Sequence, residues 1–349
     1  MSGVLYVASL RAHFHTPKGV VHAIDGVSLD IAPGRALGLV GESGCGKSVF
    51  ARTVMGLLPS YARILPGSEL RFQGQDLLAL PARQRRALCG PEMAMIFQDP
   101  MTSLNPVMRI GDQIMEGMRF HLGTPKSEAR ARALELLTEV GIPQAEQRLR
   151  QYPHQLSGGM RQRVAISIAL ACEPTLLIAD EPTTALDVTV QAGILDLLQR
   201  EQRARHMSLI LITHDLGVVA GRCDEVAVMY AGNIVEHADT AALFARTRMP
   251  YTQALLDSIP KLEQPPHQRL NSIGGRPPQL INPPDGCRFA PRCQYADAQC
   301  REALPPFIKD IYAGDVYDGD VSGGDACGGQ VHGYACWRPL NSAPASANS

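Results

Sequence analysis

The stretch of sequence that decides the fold runs from residue 36 to residue 58. It reads Ala36-Leu37-Gly38-Leu39-Val40, then Gly41-Glu42-Ser43-Gly44-Cys45-Gly46-Lys47-Ser48, then a segment that continues to Leu58. The first part is a continuous apolar run, and the last part has helical periodicity. A buried strand, a glycine-rich turn and a helix in this order predict a parallel α/β sheet. The turn matches the pattern G-x-x-x-x-G-K-[ST] in the setting that a phosphate-binding loop requires, between a strand and a helix.

The residue types of this turn are those that bind the phosphates of a nucleoside triphosphate. Its glycines let backbone N–H groups curl around phosphate oxygens, and the N-terminus of the following helix adds a favourable dipole. Lys47 is expected to reach the β- and γ-phosphates, and Ser48 to bind Mg²⁺. The residues expected to contact the nucleotide in this loop are Gly41, Ser43, Gly44, Cys45, Gly46, Lys47 and Ser48.

Two acidic residues end a second apolar strand, Leu176-Leu177-Ile178-Ala179. Asp180 is expected to hold Mg²⁺ through water, as a carboxylate does in other enzymes with this loop. Glu181 is then placed to polarise the attacking water as a general base. Two solvated carboxylates at a strand end are the alternative interpretation, which is weak beside the phosphate-binding loop.

A third motif, Leu156-Ser157-Gly158-Gly159-Met160-Arg161-Gln162-Arg163, precedes a helix predicted from Val164 to Cys172. Glycines at a helix start expose backbone N–H groups, so Ser157, Gly158 and Gly159 predict a second anion site. One chain has no need of two γ-phosphate sites unless one of them serves a neighbouring chain.

In this order the motifs resemble the ATP-binding cassette (ABC) family, and the resemblance covers residues 1 to about 260. It implies an ATPase of the α/β class, with a RecA-like core that carries the phosphate-binding loop and an antiparallel β subdomain. It also implies a helical subdomain at about residues 100–160. In that family the Leu-Ser-Gly-Gly segment closes over the nucleotide that the opposite subunit binds.

The resemblance also implies roles for residues outside the phosphate-binding loop. Gln98 matches a glutamine that senses Mg²⁺ and the attacking water and touches the membrane partner. Asp187 matches a loop that communicates across the dimer, and His214 matches a switch that contacts the γ-phosphate. Phe14 lies where the family stacks an aromatic ring on adenine, and a core position is its alternative.

Cys45 departs from the family pattern, in which a small hydroxyl residue is more usual. Its side chain is not a phosphate ligand in this motif, so ATP binding is expected to survive the change. A thiol near a helix N-terminus is expected to have a lowered pKa and to be open to oxidation. Redox control at Cys45 is therefore a hypothesis.

Three longer stretches, residues 95–106, 180–187 and 250–256, resemble the ATPase subunits of dipeptide and oligopeptide importers. The resemblance implies that ATP hydrolysis powers the import of di- or oligopeptides through a membrane transporter. It further implies a heterodimer with a second ATPase chain, two transmembrane permease subunits and an extracytoplasmic peptide-binding protein. The chain would lie peripherally on the cytoplasmic face of the cell (inner) membrane.

Other cargoes and other classes of cassette protein remain as alternatives. Importers of nickel, haem or glutathione share these stretches. An exporter, and a soluble cassette ATPase that acts on nucleic acid or the ribosome, are less consistent with the importer-like segments.

The composition limits the classes of protein further. With 349 residues, 45% hydrophobic and 19% charged, the chain can bury a sizeable core, which rules out global disorder. The formal net charge of −1 argues against a generic nucleic-acid binder. No signal-peptide pattern begins the sequence and no run of about 18 apolar residues occurs, so we expect no membrane span and a reduced, cytoplasmic setting.

Nine cysteines are unevenly distributed, and five of them follow residue 286. Residues 261–340 are predicted to form a small, irregular, cysteine-rich extension, and residues 341–349 a disordered tail. Thiolates at short spacings favour iron–sulfur or zinc centres. The resemblance implies Cys287, Cys293, Cys300 and Cys336 as ligands of a [4Fe–4S] cluster that ties the extension together, with Cys327 as the spare. Zinc and free cysteines are the alternatives.

Overall fold

The computed structural model describes residues 3–99, 103–184, 186–259, 273–312 and 330–341. Its strands are β1 (Leu5–Thr16), β2 (Gly19–Ile31), β3 (Ala36–Val40), β4 (Ala62–Ile64), β5 (Glu69–Phe72), β6 (Gln75–Asp76), β7 (Met93–Ile96), β8 (Leu176–Asp180), β9 (Ser208–Thr213), β10 (Glu225–Tyr230), β11 (Asn233–Asp239), β12 (Ile308–Tyr312) and β13 (Gln330–Tyr334). Its helices are α1 (Lys47–Met55), α2 (Ala82–Leu88), α3 (Ile110–His121), α4 (Lys126–Glu139), α5 (Ala145–Arg148), α6 (Gly158–Leu170), α7 (Val188–Arg205), α8 (Leu216–Val219), α9 (Thr240–Ala245), α10 (Pro250–Asp257) and α11 (Ala298–Glu302).

The larger sheet has the strand order β12-β13-β11-β10-β3-β9-β8-β7 within the described residues. The strands from β10 to β7 in this order run parallel to one another. Every residue of β3, β8 and β9 is buried. Strands of a parallel sheet that is covered on both faces need apolar side chains on both, which is why they read as continuous apolar runs. The predicted parallel α/β sheet is confirmed.

A second, antiparallel sheet is built from β1, β2, β4, β5 and β6. Strands β1 and β2 pair from Leu5 opposite Ile31 to Thr16 opposite Gly19. The sequence predicts much shorter strands here, at residues 4–9 and 27–31. Three register shifts along the pair break the apolar alternation that marks a strand in a sequence, so the prediction missed the end of β1 and the start of β2, on either side of the turn.

Helices α3, α4 and α6 pack against one another beside the larger sheet. The apolar periodicity of residues 127–140 predicts an amphipathic helix that Ser127 caps and Gly141 ends. The helix is present as α4, but Ser127 is not its cap. The helix begins one residue earlier, at Lys126, so that Pro125 takes the capping position and Ser127 lies inside the first turn. Gly141 follows the helix with a positive φ of 75°, as predicted for its end.

Part of the extension continues the larger sheet. Strand β13 pairs antiparallel with β11, and β12 pairs with β13 at the edge. Glu236 of β11 and His332 of β13 are both buried, and their Oε1 and Nε2 atoms lie 2.8 Å apart. Among the described residues, no helix is both long and apolar enough to cross a membrane. Cys327 and nearly all of the predicted tail lie outside the described residues.

Candidate nucleotide site

The candidate site residues lie where the parallel strands of the larger sheet end. Val40, the last residue of β3, is in register with Thr213, the last residue of β9. Asp180 ends the neighbouring strand β8, and Ile96 ends β7 beyond it. Because the carboxyl ends of parallel strands share one edge of the sheet, the loops that follow these four strands meet there. These loops carry residues 41–48, Gln98, Glu181 and His214.

The phosphate-binding loop, residues 41–48, has a backbone shape that needs glycine. Gly46 has a φ of +115°, and a Cβ at this position would lie 2.3 Å from the carbonyl oxygen of Ala23. Helix α1 begins immediately afterwards with no side-chain cap among the described residues. Its first N–H groups are therefore available to an anion, which the helix dipole also favours.

Lys47 lies against this loop and not in solvent. Its side chain is 4% exposed, and Nζ donates hydrogen bonds to the carbonyl oxygens of Gly41 at 2.7 Å and Glu42 at 3.0 Å. The backbone N–H of Glu42 donates to the hydroxyl of Tyr251 at 2.9 Å. The backbone of the loop is thus held by two buried side chains, Lys47 and Tyr251 of α10.

The Ser48 hydroxyl and the Asp180 carboxylate are direct neighbours. Ser48 Oγ donates a hydrogen bond to Asp180 Oδ1 at 3.0 Å. Burial raises the pKa of Asp180, the Ser48 hydrogen bond opposes this shift, and the charge of Glu181 adds to it. A hydroxyl and a carboxylate side by side are the oxygen donors that Mg²⁺ prefers, and a cation would offset the burial of the carboxylate. The donor set therefore fits the expected metal.

Three polar side chains lie around one carboxylate oxygen of Glu181. Its Oε2 accepts hydrogen bonds from Gln98 Nε2 at 3.0 Å and from Thr184 Oγ1 at 3.0 Å. Nδ1 of His214 lies 3.6 Å from the same oxygen, and the His214 side chain is 63% exposed. Glu181 has a φ of +44°, a strained conformation that is common at functional positions. The structure therefore brings together the three residues predicted to be catalytic.

Thr184 was missed by sequence reasoning. It follows Glu181 by three residues in Pro182-Thr183-Thr184, so its hydroxyl can reach back to the carboxylate. Such a short hydroxyl-bearing turn after two acids is the signal that would have identified it.

The Ser157 segment and Asp187 share one surface. Ser157 Oγ accepts from Met160 N and caps α6, whereas Asp187 Oδ1 accepts from Val190 N at 2.9 Å and caps α7. A Cβ on Gly159 would lie 2.7 Å from Val190, so the two helix starts are in close contact. Ser157, Gly158 and Asp187 are exposed. The predicted second anion site is therefore accessible on the surface.

Phe14 is a half-buried residue of β1, in register with Ala62 of β4. Its ring lies 5.8 Å from the ring of Tyr61 at an angle of 57°. Tyr61 is exposed and was not singled out in the sequence. Phe14 is therefore not a core residue, and its ring keeps a surface that a planar ligand can cover.

The prediction that the pKa of Cys45 is lowered is wrong. Cys45 is buried, and this burial raises the pKa of its thiol even though Lys47 Nζ lies 3.8 Å from Sγ. A hypothetical Cβ on Gly41 would lie 2.9 Å from Cys45 Sγ, so this thiol packs under the loop and not towards solvent. Desolvation outweighs the helix dipole, and the thiolate needed for oxidation is disfavoured.

The four cysteines predicted to bind a metal cluster lie in one region of the extension. Cys287 N donates to Cys300 O at 2.8 Å. Burial raises the pKa of Cys336 to about 12, and the nearby thiols of the other three cysteines add to this shift. Among the described residues, these cysteines do not form a group of three whose sulfur atoms all lie within 4.8 Å.

Within the described part of the chain, His13, His22 and Asp25 each offer a possible metal-ligand atom, and these three atoms all lie within 4.8 Å of one another. Asp25 Oδ2, however, forms an ion pair with Arg288, and Asp25 Oδ1 lies 3.2 Å from His13 Nε2. Burial alone would raise the pKa of Asp25, but the hydrogen bond and charge of Arg288 lower it. Because a guanidinium already neutralises the carboxylate, this group is better explained as a hydrogen-bonded cluster than as a metal site.

Comparisons with known proteins agree with this geometry. Residues 24–184 match the ABC transporter family, and residues 235–300 match the family described as the oligopeptide/dipeptide transporter C-terminal region. The dipeptide transport ATP-binding protein DppD of Escherichia coli (strain K12) is 50% identical over 302 residues, which are 86% of this chain and 92% of that protein. DppD of Bacillus subtilis (strain 168) is 48% identical over 305 residues, 87% of this chain and 91% of that protein.

Solved structures show the same fold. The dimeric post-hydrolysis structure of the ATP-binding cassette MJ0796, bound to ADP and Pi, has a TM-score of 0.61 at 24% identity and covers 68% of this chain and 98% of its own. The structure of cbiO1 from Clostridium perfringens, part of the ABC transporter complex cbiONQ, has a TM-score of 0.59 at 27% identity and covers 70% and 92%. The chain therefore belongs to the ABC transporter family as an ATP-binding ATPase, and it carries the C-terminal region of the oligopeptide/dipeptide transporters.

Proposed function

We propose that this chain is the ATP-hydrolysing subunit that powers the import of di- or oligopeptides through a membrane ABC transporter. The observation that carries the proposal is that one chain matches the ABC transporter family over residues 24–184 and the oligopeptide/dipeptide transporter C-terminal region over residues 235–300. Relatives at about half identity that span most of the chain include dipeptide and oligopeptide transport ATP-binding proteins, which favours peptides over nickel, haem or glutathione. In this proposal residues 1–260 are the ATPase, residues 261–340 the importer-type extension and residues 341–349 the tail.

Hydrolysis is proposed to follow from the contacts at the strand ends. The N–H groups of residues 41–48 and the ammonium group of Lys47 bind the phosphates of ATP. Ser48, Asp180 and Gln98 would hold Mg²⁺, which when bound would neutralise charge on the phosphate oxygens. Glu181 accepts a proton from the attacking water, since its carboxylate lies beside Gln98 at the same edge of the sheet.

Two further residues orient this reaction. Thr184 fixes the Glu181 carboxylate through a 3.0 Å hydrogen bond. His214 lies next to the same oxygen and is exposed enough to turn towards a γ-phosphate. Phe14 stacks on adenine from β1.

The active unit is proposed to be a dimer of ATPase chains. The segment Ser157-Gly158-Gly159, of which Ser157 and Gly158 are exposed, offers an anion site that this chain's own phosphate-binding loop does not need. It would close over the nucleotide of the partner, and Asp187, on the same surface, would relay the closure. The partner is a second ATPase chain, and two transmembrane permeases and an extracytoplasmic peptide-binding protein complete the transporter. The chain would bind the permeases from the cytoplasmic face of the membrane, through the region around Gln98.

We further propose that Cys287, Cys293, Cys300 and Cys336 hold a [4Fe–4S] cluster. The support is the donor set: burial raises the pKa of the Cys287, Cys293 and Cys336 thiols and neighbouring cysteines add to this shift, a cost that a bound cation would relieve. A single zinc ion would draw its sulfurs to about 4 Å from one another, since Zn–S bonds are about 2.3 Å long. Within the described residues no three of these sulfurs all lie within 4.8 Å of one another, so they would have to move closer together to bind one zinc ion. When bound, the cluster would contribute folding free energy to the extension.

The cluster is tested by metal analysis of anaerobically purified complex. The proposal expects iron, acid-labile sulfide and absorbance near ~400 nm, all lost in Cys300→Ser and all retained in Cys89→Ser. Zinc in place of iron would identify the alternative metal, and absence of both would leave free cysteines.

The transport function is tested with the complete transporter reconstituted in vesicles. Labelled dipeptide and its binding protein are placed on one side and MgATP on the other. The proposal expects ATP-dependent uptake that Lys47→Ala abolishes. Uptake of nickel, haem or glutathione in place of peptides, or outward movement of the peptide, would contradict it. Co-purification with nucleic acid and not with permeases would point to a soluble cassette ATPase.

A further inference from the structure

Two arginines border the cysteine segment of the extension, and neither side chain points into solvent. Arg288 follows Cys287, and Arg292 precedes Cys293. Their side chains are 5% and 3% exposed. A guanidinium that is buried to this degree needs a charged partner, because an unpaired buried charge is strongly destabilising.

The partner of Arg292 is a residue of the phosphate-binding loop. Arg292 Nη1 lies 2.6 Å from Glu42 Oε2, and Nη2 lies 2.9 Å from Glu42 Oε1. This two-point fork is the most directional arrangement that an arginine and a carboxylate form. Arg292 is itself held by the carbonyl oxygen of Gly274 at 2.8 Å and by the hydroxyl of Tyr230 at 3.3 Å. The contact joins residues that are 250 positions apart.

Glu42 contributes its backbone to the shape of the loop. Its carbonyl oxygen accepts from Lys47 Nζ at 3.0 Å and from Cys45 N at 3.3 Å. Its N–H donates to the buried Tyr251 hydroxyl. Arg292 therefore binds the side chain of Glu42, a residue whose backbone holds both the turn and the Lys47 ammonium group. This ammonium group is the one expected to bind phosphate.

Arg288 attaches the same segment to the opposite wall of the site. It forms an ion pair with Asp25 of β2 and donates to the carbonyl oxygen of Ala231. Asp25 pairs in register with Arg11 of β1, the strand that carries Phe14. Residues 287–293 thus contact both the strand pair on the adenine side and the loop on the phosphate side.

We propose that Arg292 is a positioning residue for ATP binding, which fixes the phosphate-binding loop through Glu42 from the extension. This inference rests on the proposed nucleotide site but not on the metal cluster. Arg292 touches Glu42 and not the reacting atoms. Its loss should therefore weaken binding of ATP more than it slows the chemical step at Glu181.

The test compares ATPase kinetics of the purified transporter complex carrying Arg292→Gln, Glu42→Gln or both. Each single variant should raise KM for ATP about tenfold, with kcat within about a factor of two. The double variant should be no worse than either single one, because the two residues act through one contact. Arg292→Lys should rescue KM only in part, since lysine keeps the charge but cannot form the fork.

Arg301→Gln is the matched control, because Arg301 is also an arginine beside a cysteine of the extension but is exposed. It should leave KM unchanged. Equilibrium titration of the same complexes with a fluorescent ATP analogue gives the affinity without turnover. If the complex hydrolyses no ATP, the proposed function fails, whereas this titration still decides the role of Arg292.

Three results would overturn the proposal. One is an unchanged KM and an unchanged affinity for ATP in Arg292→Gln, provided that thermal denaturation shows this variant to be folded. Another is an unchanged KM in Glu42→Gln, which removes the same ion pair from the side of the phosphate-binding loop. The third is a double variant whose defects add, which would mean that the two residues act independently.

Discussion

Gln98 Nε2 donates a hydrogen bond to Glu181 Oε2 at 3.0 Å. The two residues follow different strands, β7 and β8, which are adjacent and parallel. A side chain from the loop proposed to face the permeases is therefore in direct contact with the proposed general base. Movement of this loop would displace the Glu181 carboxylate, which gives transport and hydrolysis a physical connection.

The buried Asp180 carboxylate should destabilise the metal-free protein, and a bound Mg²⁺ ion should offset this cost. Its pKa is raised by burial, so its contribution to stability is present at low pH and is lost as the pH rises through the folded-state pKa. At pH 7 the neutral variant Asp180→Asn should therefore raise the Tm of the metal-free protein by about 2–4 °C, equivalent to roughly 1 kcal/mol. The same variant should lose Mg²⁺-dependent ATPase activity.

The control is Asp285→Asn, which removes an exposed carboxylate of the extension. It should change neither Tm nor activity. A lower Tm in Asp180→Asn would show that the charged form is favoured by the fold, contrary to the burial described above.

Cys45 should be inert in the folded protein. Burial raises the pKa of its thiol, so little thiolate exists near neutral pH. A short treatment with N-ethylmaleimide at pH 7, followed by mass spectrometry, should leave Cys45 unmodified, and urea-unfolded protein should be modified fully. Cys45→Ser should retain ATPase activity. Rapid modification of Cys45 in the folded protein would contradict this prediction and would support the hypothesis of redox control at this position.

Glu236 should stabilise the cassette from within and also hold strand β13 of the extension through His332. It is fully buried, and its two carboxylate oxygens accept from the backbone N–H groups of Arg248 at 2.6 Å and Met249 at 3.2 Å, besides the contact with His332. Glu236→Ala would remove the acceptor for all three donors and should cost about 3 kcal/mol in the free energy of unfolding. Urea unfolding measures it, and Glu116→Ala, at an exposed helical position, should stay within about 0.5 kcal/mol. Equal stability of the two variants would contradict this role of Glu236.

Sequence reasoning reached the nucleotide site because its signals are local. The apolar run before Gly41 and the two acids after Ala179 each lie within a few residues of the strand that positions them. Parallel pairing of β3, β9 and β8 then brings their ends together without any further information. Local patterns of this kind survive in a sequence because the strand, the turn and the side chain are consecutive.

The contacts that the sequence did not reveal are those between distant segments. Nothing near Glu42 indicates that its carboxylate pairs with Arg292, because that choice depends on how the extension packs against the cassette. The burial of Cys45 was missed for the same reason, since the helix dipole is local whereas desolvation comes from the surrounding fold. The pairing of β13 with β11 likewise joins segments that the sequence separates by about a quarter of the chain.

The most direct test of the account is hydrolysis and peptide uptake by the reconstituted transporter with Glu181→Gln. Glutamine keeps the size of the side chain and its contact with Gln98 but cannot accept the proton of the attacking water. The account predicts that ATP is still bound, that turnover falls by about 10²–10⁴-fold, and that uptake stops with it. Glu302→Gln, at an exposed position of the extension, should hydrolyse and transport normally. Hydrolysis at the wild-type rate by Glu181→Gln would contradict the account.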